Sequence, residues 1–155
     1  MSPQTRRQVL RWSAASIPVA LAGCFDRSEP TKDTQLDQLL AVNYQDDPHT
    51  LFIDISEQDE IVYETSIEIP AAAETTSELG DDRWSGVYFE GHPTQAGSYV
   101  IQAWRADQLR DEGITLDLTD YDYECVQVRV DIGEIREDSG PRLSFWRTFD
   151  CSNSE

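Results

Sequence analysis

Lysine is nearly absent from this chain. Lys32 is the single lysine among 155 residues, and 12 basic residues face 30 acidic ones, for a net charge of −18. So few cations exclude the basic patches that hold nucleic-acid phosphates and anionic headgroups, so no nucleic-acid partner is expected. Histidine is equally scarce. His49 and His92 each stand beside a proline, and the chain contains neither Cys-x-x-Cys nor His-x-x-x-His, so no ligand set has zinc spacing. A blue-copper site is excluded as well, because Met1 is the only methionine and no histidine follows Cys125 or Cys151. Neither metal nor cofactor is therefore expected. There is no Gly-x-Ser-x-Gly elbow, phosphate loop or dinucleotide fingerprint. No apolar run approaches the roughly 20 residues that a transmembrane helix needs.

What is present starts at the N-terminus. Arg6, Arg7 and Arg11 precede a short, mildly apolar run from Trp12 to Gly23, and no acid occurs before Asp26. This order is that of a removable targeting segment. The stretch Thr5-Arg6-Arg7-Gln8-Val9-Leu10 resembles a twin-arginine export signal, and Leu21-Ala22-Gly23-Cys24 resembles the lipobox of prokaryotic lipoproteins. The two together are similar to the N-terminus of a haloarchaeal-type exported lipoprotein. The resemblance implies a signal peptide over 1–23 and a lipid on Cys24. It also implies a protein held by that lipid on the extracytoplasmic face of the cell membrane. Residues 24–36 mix charge, Pro and Thr without a period and read as a tether, which leaves 37–152 for one domain.

Removing residues 1–23 deletes three arginines and no acid, leaving 30 acids against 9 bases, or −21 over 132 residues. Composition of this kind resembles that of proteins from salt-loving archaea, in which molar salt shortens the screening length to about 3 Å. Disorder is the competing reading of so much like charge. The 4 Trp, 6 Tyr and 5 Phe, together with a clear period of two, argue against it.

Leu39 to Val42 opens a strand that ends at the turn Gln45 to Pro48. Leu51, Ile53 and Ile55 then alternate with Phe52 and Asp54, and Ile61, Tyr63, Thr65, Ile67 and Ile69 with Val62, Glu64, Ser66 and Glu68, which predicts a half-buried hairpin around Glu57 to Glu60. Further strands are predicted at Trp84 to Glu90, Ser98 to Arg105, Ile114 to Leu118, Glu124 to Ile132 and Arg142 to Asp150. Ala106 to Glu112 is the only helical stretch. Seven to eight short strands predict an all-β fold, an antiparallel immunoglobulin-like β-sandwich preceded by the signal and a flexible tether. Ala96-Gly97-Ser98-Tyr99 resembles the tyrosine corner of such sandwiches, in which the hydroxyl bonds upstream backbone.

With Cys24 lipidated, Cys125 and Cys151 are left to pair in an oxidising compartment. A hairpin centred near Asp138 sets 125 opposite 151 and 130 opposite 146, which puts Trp146 in the core with Val128, Val130 and Ile132. It also sets Arg129 against Arg147, so a bulge or an inter-sheet link is the alternative to this simple pairing. Trp104, Tyr121 and Tyr123 are the candidate binding surface, and the last two lie in the acidic run Asp117 to Glu124. The expected function is a non-catalytic, lipid-anchored binding or structural module with a protein or carbohydrate partner. The alternative is a small carboxylate-dependent hydrolase or a calcium-binding protein that uses the acidic run.

The charge carries a measurable consequence. At 0.01 M salt the screening length is about 30 Å, so carboxylates across the whole domain repel one another. The melting temperature is expected to rise steadily from dilute buffer to molar KCl, as followed by circular dichroism. Equal values would show that the acidity places no load on the fold.

Overall fold

The computed structural model describes residues 33–72, 86–134 and 140–151. The export signal with Arg6 and Arg7, the lipidation residue Cys24 and most of the expected tether lie outside them. Nine strands occur among the described residues: β1 (Thr34–Asn43), β2 (His49–Glu57), β3 (Glu60–Ile69), β4 (Val87–Tyr88), β5 (Ala96–Gly97), β6 (Tyr99–Arg105), β7 (Ile114–Asp117), β8 (Cys125–Ile132) and β9 (Leu143–Thr148). The stretch read as helical contains only a 3-10 turn, Arg110–Glu112, and a second such turn follows at Leu118–Asp120.

The strands form two sheets. One runs β4-β1-β8-β9, with β5 also paired to β1, and the other runs β3-β2-β6-β7. Alternation explains the layers. In β8, Val126, Val128, Val130 and Ile132 are buried, and in β2 and β6 the same holds for Leu51, Ile53, Ile55, Tyr99, Ile101 and Ala103. These residues belong to one core with Leu36, Leu39 and Ala41 of β1. The protein is an all-β sandwich.

Three features depart from the sequence reading, each for a physical reason. First, β1 begins at Thr34, inside the stretch assigned to the tether, and Leu36 is wholly buried. Its pairing with β8 skips Asp37, a β-bulge that places Leu36 and Leu39 on the same face three residues apart and so hides the period of two. Second, β1 and β8 pair in parallel, so the sheet is mixed and not wholly antiparallel. The two strands are far apart in the chain, and a hairpin pattern cannot reveal their pairing. Third, β9 pairs with β8 one residue out of the expected register: Arg129 faces Trp146 and Val130 faces Phe145. A slip of one residue exchanges the faces of a strand. Phe145 therefore packs against the core, whereas Trp146 points out and is 60% exposed.

The β2–β3 hairpin is close to expectation. Its two-residue turn, Gln58-Asp59, has both residues at positive φ, the backbone of a type I′ turn. A bulge between Ile55 and Ser56 shifts the pairing, so Ile61 faces Ser56 and lies exposed instead of on the inner face.

Tyr99 occupies the expected corner. Its ring is buried, and its hydroxyl donates to the Gln95 carbonyl at 3.1 Å. Gly97 makes room for it: a Cβ there would lie 2.5 Å from Tyr99 Cζ and 2.6 Å from Glu57 Oε1. Gly97→Ala is expected to destabilise the domain by about 1–3 kcal/mol through overpacking. Tyr99→Phe, which removes only the hydroxyl bond, should cost about 1 kcal/mol. Urea denaturation in molar salt distinguishes the two.

Candidate functional site

Surface rings gather in three places. On the outer face of the β2 sheet, Phe52 and Trp104 are cross-strand partners and stack at 5.4 Å with planes 9° apart. Arg110, from the turn between β6 and β7, lies over the other ring system, 5.5 Å from the Trp104 ring centre. Arg110 is held there by Asp54, with Nη2 to Oδ2 at 2.5 Å, and by Gln102, whose Oε1 accepts from Nε at 3.1 Å. Trp104 is thus covered from within the chain. Asp54 is buried although it points outward, and its Oδ1 has no hydrogen-bond partner among the described residues. Burial pushes its carboxyl above the ordinary aspartate value, opposed by Arg110 and reinforced by Glu64, its cross-strand neighbour.

The second place is the connection from β7 to β8. Tyr123 stacks on Phe149 at 3.8 Å, Tyr121 tilts against the same ring at 5.6 Å, and Arg147 sits 4.8 Å over Tyr121. A cation for these rings is therefore supplied by β9 itself. Asp117 accepts from the Thr119 backbone at 2.9 Å and hydroxyl at 2.6 Å, so it serves as a local cap in the acidic run. Beside this cluster Cys125 and Cys151 form a disulfide, with Cα atoms 6.3 Å apart. The Asp37 carboxylate and both sulfurs lie within 4.8 Å of one another. Bonded to each other, the sulfurs offer no thiolate to a metal.

The third place was not singled out by sequence reasoning. On the outer face of the β1 sheet, strand register lines up Tyr88, Leu40, Arg129 and Trp146 across four strands. Tyr88 and Trp146 are 58% and 60% exposed. Arg129 lies 5.5 Å from the Trp146 ring centre and grips Asp131 with two bonds, Nε to Oδ1 at 2.7 Å and Nη2 to Oδ2 at 2.9 Å. The Asp131 side chain is 4% exposed. Burial raises its carboxyl above the ordinary value, against the hydrogen bonds from Arg129. Tyr44 is raised by burial and then by Asp131. Tyr44, Arg129, Asp131 and Trp146 line an open groove of about 530 Å³, together with Glu134, Ser144 and Phe145.

The three rings proposed from sequence are thus divided between the first two places, and Trp146, expected in the core, is with Tyr88 one of the two exposed rings of the third. A signal did exist: Arg129-Val130-Asp131 puts opposite charges two residues apart on the face opposite a buried valine. Comparison with protein-family models, curated proteins and solved structures finds no match for this chain.

Asp54 generates a prediction with a definite sign. A carboxyl whose pKa is raised by folding lowers stability wherever it is ionised, and that penalty disappears as pH falls from above the folded pKa to below the unfolded value of 3.8. Asp54→Asn retains an acceptor for Arg110 and abolishes the buried charge. It should stabilise the domain at neutral pH by about 1 kcal/mol and gain nothing below pH 3.8. Urea titrations at the two pH values check this, and a loss at neutral pH would show that the Arg110 pair outweighs the cost of burial.

Proposed function

We propose that this chain is a lipid-anchored, extracytoplasmic, non-catalytic binding module, acidic and salt-adapted, whose binding face is the outer side of the β1 sheet. The observation that carries the binding face is Trp146: a large ring, 60% exposed, beside a groove in which the half-buried Arg129 is paired with the buried Asp131. Exposed aromatic area next to fixed polar groups is the usual chemistry of recognition surfaces. The corresponding ring of the other sheet, Trp104, is only partly exposed, because Phe52 stacks on it as well as Arg110.

Chain direction agrees with this placement of the binding face. β1 and β8 run in parallel, from the Gln35–Cys125 pair to the Asn43–Ile132 pair. The groove, at Tyr44, Asp131 and Glu134, is therefore at the end away from the chain's entry into the domain. At about 3.3 Å per residue, β1 separates the two ends by roughly 30 Å. A lipid on Cys24, implied by the lipobox, then tethers one end and leaves the groove facing outward.

The reading requires two results. Cys24→Ser should release the protein from the membrane fraction, because a lipidated cysteine is its only proposed anchor. In hydrogen exchange of the full-length protein in detergent and molar KCl, an extract of the cell surface should slow exchange at β8 and β9 around Arg129 and Ser144. A Cys24→Ser protein that stays membrane-bound, or protection confined to the β2 sheet, would overturn it.

A further inference from the structure

We infer that the groove beside Trp146 binds a neutral pyranose sugar, with Trp146 stacked on the C–H face of the ring and the Arg129–Asp131 pair holding adjacent hydroxyls. This rests on the binding face proposed above and specifies its ligand.

The polar groups select the class. Asp131 is buried and gripped by Arg129 through Nε and Nη2. A guanidinium has five N–H donors, so three remain, and Arg129 makes no other hydrogen bond among the described residues. Each carboxylate oxygen of Asp131 likewise has a second lone pair. A rigid donor fork beside a rigid pair of acceptors matches neighbouring hydroxyls, each of which donates and accepts. A purely apolar ligand would strip water from this pair without replacing its bonds, and a site built on buried polar groups rejects such ligands strongly. Ser144 adds a hydroxyl to the same wall.

Charge narrows the choice further. Among the described residues, Asp131 and Glu134 outnumber Arg129 in the groove, within a chain of net charge −18, so phosphates, sulfates and uronic acids are disfavoured. A cationic ligand meets the opposite obstacle. Arg129 already lies against the Trp146 ring, 5.5 Å from its centre, and would repel a second cation. What remains is an uncharged molecule with one apolar face and a hydroxyl-rich edge. The groove's 530 Å³ is within the usual range of roughly 300–1,000 Å³ for small-ligand sites.

The test uses full-length protein in detergent and molar KCl, with maltopentaose, cellopentaose and mannopentaose as neutral probes and a polygalacturonate oligomer as the charged one. Binding is read by saturation-transfer NMR and tryptophan fluorescence. At least one neutral probe should bind and the charged one should not. Trp146→Ala and Arg129→Gln should each weaken binding tenfold or more, whereas Trp104→Ala should leave it unchanged. Circular dichroism of each variant verifies the fold. Because the ligand is uncharged, affinity should stay constant across the salt range in which the domain is folded. Absence of binding by every neutral probe, or binding that survives both Trp146→Ala and Arg129→Gln, overturns the inference. If hydrogen exchange still shows protection of β8 and β9 by the cell-surface extract, the binding face stands and only the sugar falls. Loss of that protection as well removes both.

Discussion

β8 is the strand on which the rest of the structure depends. It lies between a parallel neighbour, β1, and an antiparallel one, β9, and it holds a fixed register with each. Those two registers send Val126, Val128, Val130 and Ile132 into the core. The same alternation turns Arg129 and Asp131 outward. With the face fixed by apolar burial, a carboxylate and a guanidinium two residues apart must share the opposite side, close enough for a bidentate pair. Core and groove are thus two faces of one pairing, and changing either register by a residue would destroy both.

Acidity sets the second constraint. With 30 acids and 12 bases, most carboxylates have no cation to meet, and the described arginines are used selectively. Arg105 is buried and bonds Asp107 through two nitrogens and the Pro141 carbonyl through a third, which ties the end of β6 to the start of the β9 segment. Arg110 covers Trp104, and Arg147 covers Tyr121. Arginine suits these tasks better than lysine, because its planar fork bonds carboxylates in pairs and stacks on rings. The near absence of lysine is in keeping with this use.

The ends of the sandwich differ in kind. Near the entry of β1, the disulfide and the Tyr121–Tyr123–Phe149 cluster fasten the end of the last strand to the start of β8 and the connection before it. Asp37 Oδ2 accepts from Gln127 at 2.8 Å, so the bulge itself ties β1 to β8. At the far end the sheet surface opens into the groove between Tyr44 and Trp146. Cross-links at the first end and an accessible surface at the second suit the tethering proposed above.

The sequence by itself determined the strands, because burial of one face imposes a period of two that can be read directly in β2, β6 and β8. It also showed the tyrosine corner, through the Gly97-Ser98-Tyr99 spacing, and it supplied the only two cysteines left for a disulfide within the domain. The remaining features were decided by tertiary structure. The bulge at Asp37 broke the period and concealed the first part of β1. The parallel β1–β8 pair joined strands about 90 residues apart, and no local pattern encodes such a contact. The register of β9 rested on a single residue, since Phe145 and Trp146 are adjacent large rings and either could have faced the core. Packing of Phe145 opposite Val130 resolved the choice. By turning Trp146 outward, it created the surface on which the proposed function rests.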